Sequence, residues 1–278
     1  MLRKTILSAG IFSLLALGIS NAGEKEVYSD ILEDYKGSVV TIEAVVETEV
    51  RAMGQAQESE NRIEVPGALI NENGLVMASA QPFSSDVIED ALGGAAGGQD
   101  FDTDVSVSDI SVVLDDGEEF DAFIAATDSD FKLAFLQMED VEFRSFSHID
   151  FDNESEPEQG EKLYTISRLG EGYDYAPHVR YLQIEGEVDR PRQAHIASAY
   201  PNLIGMPFFN EEGEVAGVLT DLDVEDDDPA GGGRFGAMLD QLHGGEDPTL
   251  NFVVSIDQVS GLIDRAEERA EDMLDERE

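Results

Sequence analysis

Apolar residues along this chain fall mostly into short β-branched or alternating runs, and only two stretches carry helical spacing. Residues 39–46, Val-Val-Thr-Ile-Glu-Ala-Val-Val, predict a strand over 38–50. In 65–79 two apolar runs flank a polar turn ending in Asn73-Gly74, which predicts a hairpin. A second hairpin is predicted where 110–114 and 119–126 flank Asp115-Asp116-Gly117, and 133–138 reads as a short buried strand. Further strands are predicted at 162–167, 178–188, 214–219 and 251–256. Helices are predicted at 24–37, from Val27, Ile31, Leu32 and Tyr35, and at 255–278, from Ile256, Val259, Leu262, Ile263 and Ala266.

Four segments between these elements lack periodicity. Residues 51–61 are polar and read as a loop; 84–104, centred on Gly93-Gly94-Ala95-Ala96-Gly97-Gly98, read as a flexible insertion. The acidic stretch 143–160 marks a boundary between two halves, about 37–145 and 158–257, and 221–250, rich in Asp and Gly, reads as a long surface loop. No repeat of fixed period is visible, which argues against solenoids and propellers. Many short strands with Gly, Asn and Asp turns and few helices define an all-β barrel or sandwich.

The amino terminus follows a different logic. Arg3 and Lys4 precede an apolar run from Ile6 to Ile19, and Ser20-Asn21-Ala22 supplies small residues before a cut. That is the plan of a secretory signal over residues 1–22, cleaved after Ala22, and the run is shorter than the roughly 20 residues of a spanning helix. The implied location is periplasmic or extracellular in a bacterium. No cysteine is present, so neither a disulfide nor a thiolate nucleophile is available.

Charge then excludes partners. The 278 residues carry 61 acidic and 17 basic side chains, a net charge of −44. Such a surface repels nucleic acid and anionic lipid. Because the acids are spread along the whole chain, they read as a solvated surface suited to salt, with recruitment of a basic partner as the alternative. His148, His178, His195 and His243 show no metal-binding spacing, and no cofactor motif occurs. The run 221–228 clusters carboxylates suited to a hard divalent cation. It lacks the glycine of a calcium-binding helix-loop-helix, which leaves a solvated loop with at most weak, salt-sensitive cation binding.

Four segments, taken in order across about 37–265, resemble the trypsin-like serine proteases of the HtrA/Deg type. Gly67 to Phe83 is similar to the family's hairpin that ends in the base histidine, whose place is taken here by Gln81. Asp128 to Gln137 is similar to the segment that carries the acid, with Lys132 at the aspartate position. Gly160 to Ser167 resembles the strand that opens the second barrel. Tyr200 to Val218 resembles the nucleophile region, with Ile204 in place of the serine and Asn202 in place of an oxyanion-hole glycine, while Pro207, Gly213 and Gly217 keep their places.

The resemblance implies two six-stranded antiparallel β-barrels over 37–265, preceded by a helical segment at 23–36 and followed by a C-terminal helix and acidic tail at 258–278. It also implies lost chemistry, because the mechanism needs a hydroxyl, an imidazole and a carboxylate. Gln81, Lys132 and Ile204 supply none of them. A lysine dyad of Lys132 with Ser79 is the one substitute chemistry the residues suggest; a salt bridge from Lys132 to a nearby acid is the simpler role. The expected function is therefore an exported, inactive pseudoprotease that holds a protein or peptide partner. The alternatives are an active serine endopeptidase with its triad elsewhere, although no G-x-S-G segment occurs, and a salt-adapted structural envelope protein.

Overall fold

The computed structural model describes residues 19–52, 55–83, 102–190, 192–199, 201–222 and 249–277. Residues 1–18 of the expected signal, 84–101 of the expected 84–104 insertion and 223–248 of the expected 221–250 loop, with His243, lie outside these, while 102–104 and 249–250 belong to the strands Asp102–Val113 and Thr249–Val254 and not to those loops. The strands β1 (Val39–Ala52), β2 (Gln55–Leu69), β3 (Leu75–Ser79), β4 (Asp102–Val113), β5 (Glu119–Asp128) and β6 (Leu133–Met138) close into one barrel in the order β1-β2-β3-β6-β5-β4. A second barrel, in the order β10-β11-β12-β9-β8-β7, is built from β7 (Lys162–Arg168), β8 (Pro177–Val188), β9 (Ala194–Ala199), β10 (Pro207–Phe209), β11 (Val215–Thr220) and β12 (Thr249–Val254). All the ladders within the barrels are antiparallel.

Two-sided burial explains the continuous apolar runs of β3 and β6. Successive strand residues face opposite sides of a sheet. Val76, Ala78, Ala134, Leu136 and Met138 fill the first barrel, while Leu75, Met77, Leu133 and Phe135 point outward into a core shared with the second barrel and the helices. Gln137 shares the outward phase, and its amide donates to the carbonyls of Asn73 at 2.8 Å and Met138 at 3.0 Å.

The helices brace this pair. α1 (Ile19–Tyr35) runs across the expected cleavage point and lies on β7 and β8. Tyr35 stacks on Phe209 at 4.0 Å and donates to the Gly213 carbonyl at 2.6 Å. α2 (Ile256–Arg277) buries Val259, Ile263, Ala266 and Ala270 and touches both barrels. Asn71 donates to Glu267 at 2.9 Å, and Gln258 donates to the Gln193 carbonyl at 2.9 Å. No helix among the described residues is long and apolar enough to cross a membrane.

Two expectations need correction. Residues 51–52 and 55–61 are strand and not loop: β1 and β2 run through them, paired residue by residue from Val39↔Ala68 to Ala52↔Gln55. Backbone pairing holds this polar ribbon, so hydrophobic pattern gives no sign of it. β9 and β10 were absent from the strands predicted by pattern; β9 is the small-residue run Ala-His-Ile-Ala-Ser-Ala and β10 is three residues long.

The barrels also meet through polar contacts. The turn after β7 leans on β1 and β2, where the Glu171 N–H donates to Glu64 at 3.2 Å and the Tyr175 hydroxyl donates to Glu43 at 2.5 Å. The bond to Glu43, then burial and the Glu43 charge, hold the Tyr175 phenol well above the ordinary tyrosine range. A raised folded-state value means that this contact stabilises fully below about pH 10 and is lost as pH rises beyond that toward the folded value. Thermal melts between pH 8 and 11.5 are therefore expected to fall less steeply above pH 10 for Tyr175→Phe than for the unaltered chain.

Candidate functional site

The cleft between the barrels brings three segments together through backbone contacts. β3 ends at Ser79, and Gln81 starts the short 3-10 turn Gln81–Phe83. The Ala80 N–H donates to the Lys132 carbonyl at 2.8 Å, which ties this turn to the start of β6. Lys132 is buried and sits at φ 56, a left-handed conformation uncommon for a long side chain. From the second barrel, the Thr220 hydroxyl donates to the Phe131 carbonyl at 2.5 Å. The loop between β9 and β10 completes the corner.

That loop is pinned on both sides. Gly205 has φ +84, and a Cβ there would lie 2.3 Å from the Ala78 carbonyl carbon and 2.5 Å from the Ser79 nitrogen. Only glycine permits so close an approach of two backbones. The Gly205 N–H donates to the Leu219 carbonyl at 2.8 Å, and the Leu219 N–H to the Met206 carbonyl at 3.0 Å. Gln81, Lys132 and Ile204 are thus carried by three segments that converge on one corner.

The chemistry at that corner is apolar. Ile204 is 2% exposed, Leu203 3% and Met206 0%. Asn202 is exposed within the 3-10 turn Pro201–Leu203. An oxyanion hole of this type uses the backbone N–H of the nucleophile position and of a residue just before it, both aimed at the developing oxyanion. Here the Ile204 N–H donates to the Pro201 carbonyl at 3.2 Å. The N–H at the position that the resemblance gives to the nucleophile is therefore engaged within its own turn.

The other candidates lie on several elements. Ser79 is buried, stands opposite Leu133 in the β3–β6 register, and its hydroxyl accepts from the Gln81 N–H at 3.3 Å. His148 lies after β6 with Nδ1 3.2 Å from the Phe146 carbonyl, and His195 lies on β9 with Nδ1 3.7 Å from the Glu187 carboxylate. His178, at the start of β8, is held below the ordinary histidine range by burial, with the Arg180 charge adding to the effect, so it is neutral at physiological pH. Among the described residues no group of three or more His, Asp or Glu side chains is placed to hold a metal ion.

Gly205, Thr220 and Arg168 were missed as positioning residues. Arg168 ends β7, is 9% exposed, and donates to three backbone carbonyls: Val39 at 2.7 Å, Tyr175 at 3.0 Å and Lys36 at 2.5 Å. Only Gly205, in a run whose next residue but one is Pro207, carried a sequence signal.

Two closed antiparallel six-stranded barrels with a cleft corner built from β3, β6 and the β9–β10 loop define the trypsin-like serine protease fold. The family model for the trypsin-like peptidase domain matches residues 66–218, more than half of the chain, and the protein belongs to that family. Among solved structures it is similar to the apo MamO protease domain from Magnetospirillum magneticum, with 15% identity, 82% of this chain and 96% of that chain covered, and a TM-score of 0.47. No curated protein sequence matches it.

Proposed function

We propose that this chain is an exported, catalytically inactive trypsin-like protein of the HtrA/Deg type that uses its inter-barrel cleft to hold a peptide or protein partner. The observation that carries the reading is Ile204, a buried aliphatic side chain at the serine position whose own N–H is bound to Pro201. An isoleucine has no lone pair to attack a carbonyl and no proton to give a base. Gln81 and Lys132 add neither an imidazole nor a carboxylate, and loss of a triad lowers the rate by about a million-fold.

What survives is the two-barrel scaffold. Extended peptides bind such folds through strand-like backbone hydrogen bonds and side-chain pockets, which require no triad. Export rests on the basic and apolar start of the sequence and its small residues before Gly23. A pull-down from a random peptide library is expected to enrich a sequence family on the purified mature chain. Recovery no better than from an unrelated acidic protein of equal charge would contradict the binding role.

A further inference from the structure

We propose that the outer edge of β2, over Glu58–Arg62, is a docking strand for an extended segment of a partner protein with lysine or arginine at every second position. This surface lies apart from the cleft and goes beyond the reading above. β2 pairs with β1 along its whole length, but with β3 only at Gly67–Leu69. Among the described residues no backbone group pairs with the far side of 58–64. The barrel-proximal end of this stretch is closed by the turn after β7, where Glu64 meets the Glu171 N–H and lies against Gly170. From Glu58 to Arg62 every side chain is exposed. That is about 15–17 Å of strand edge left unpaired among the described residues, the repeat of a β-strand being roughly 3.3 Å per residue.

Such an edge offers a row of backbone donors and acceptors to another chain. Charge selects the chain that can use it. In register, Glu47 stands directly opposite Glu60, Glu49 opposite Glu58, and Glu43 opposite Glu64, all on one face of the ribbon. Like charges directly opposite each other destabilise a sheet. The cation on this face of 58–64 is Arg62, 3.2 Å from Glu43. A strand added beside β2 would place alternate side chains on the same face as Glu58 and Glu60, so basic residues at every second position would meet these carboxylates. A second copy of this chain pairing antiparallel about Glu60 would set Glu58 against Arg62 but Glu60 against Glu60, so it meets fewer of the carboxylates than a strand basic at every second position.

The test uses dye-labelled decapeptides on the purified mature chain, read by fluorescence anisotropy at about 0.15 M salt, where the screening length is roughly 8 Å. An alternating lysine-threonine peptide is expected to bind saturably, and a peptide of equal composition with its lysines in one block at least tenfold more weakly. N-methylation of alternate residues is expected to weaken binding more than tenfold in one phase and little in the other, because an edge strand bonds alternate residues only. The Glu58→Gln/Glu60→Gln chain, with unchanged circular dichroism, is expected to lose about tenfold. Equal binding of the alternating and block peptides, indifference to the phase of methylation, or no saturation would overturn the proposal. So would self-association of the unaltered chain that Glu58→Gln/Glu60→Gln alters, since it would give the edge to a second copy.

Discussion

Gly205→Ala is expected to destabilise the protein by about 4 kcal/mol or more, or to prevent it from folding. Two costs add at this position. The left-handed conformation at φ +84 costs an alanine roughly 1–2 kcal/mol. The larger cost is steric, because the new methyl group would sit 2.3–2.6 Å from backbone atoms of Ala78 and Ser79, which have no rotamer to escape into. Moving the loop away breaks the Gly205 bond to Leu219 and lifts Leu203 and Met206 out of the shared core. Gly172→Ala is the control, since nothing lies within 4 Å of the Cβ it would add. Denaturant melts are expected to show the control within about 0.5 kcal/mol of the unaltered chain. Equal midpoints for the two variants would mean that the cleft corner is not closed against β3.

Arg168→Met is expected to cost about 3–5 kcal/mol, the second largest single effect. The guanidinium joins three elements at once: the carbonyl of Lys36 just past α1, the first residue of β1, and the Tyr175 carbonyl in the turn after β7. Burial pulls this guanidinium below the ordinary arginine range, with Asp115 acting against the shift, yet arginine stays charged throughout the physiological range. Methionine fills a similar volume but leaves three carbonyls without their donor, each costing about 1–3 kcal/mol where water cannot reach. A cation beside the end of α1 also suits the helix dipole. Arg168→Lys is expected to fall between, because an ammonium lacks the planar fork that reaches three acceptors. Thermal unfolding of the three proteins measures the order; a lysine variant as unstable as the methionine variant would assign the effect to packing alone.

The sequence made the strands with strong apolar alternation legible. β3 and β6 could be read because their two phases face two different cores, which leaves an unbroken apolar run. The distal half of the β1–β2 hairpin could not, because one of its faces is acidic and its pairing is a backbone matter. β9 hid for a related reason: alanine and serine have weak strand preference, and the run is held by neighbours on both sides. At the candidate site, residue type was legible and conformation was not. Ile204, Gln81 and Lys132 could be placed by their surroundings in the chain, whereas the left-handed Lys132 and the Ile204 N–H turned onto Pro201 arise from how the two barrels meet. Arg168 was invisible because a single arginine ending a strand carries no motif, and its three acceptors are main-chain atoms from distant segments.

Absence of catalysis is tested most directly by incubating the purified mature chain with unfolded casein and a serine-directed covalent probe, beside Ile204→Ser. The account predicts no cleavage and no labelling of the unaltered chain. It also predicts that Ile204→Ser stays without turnover, because Gln81 and Lys132 still supply no imidazole and no orienting carboxylate. Cleavage of casein by the unaltered chain, stoichiometric with a labelled serine, would contradict it and place an active nucleophile elsewhere in the fold.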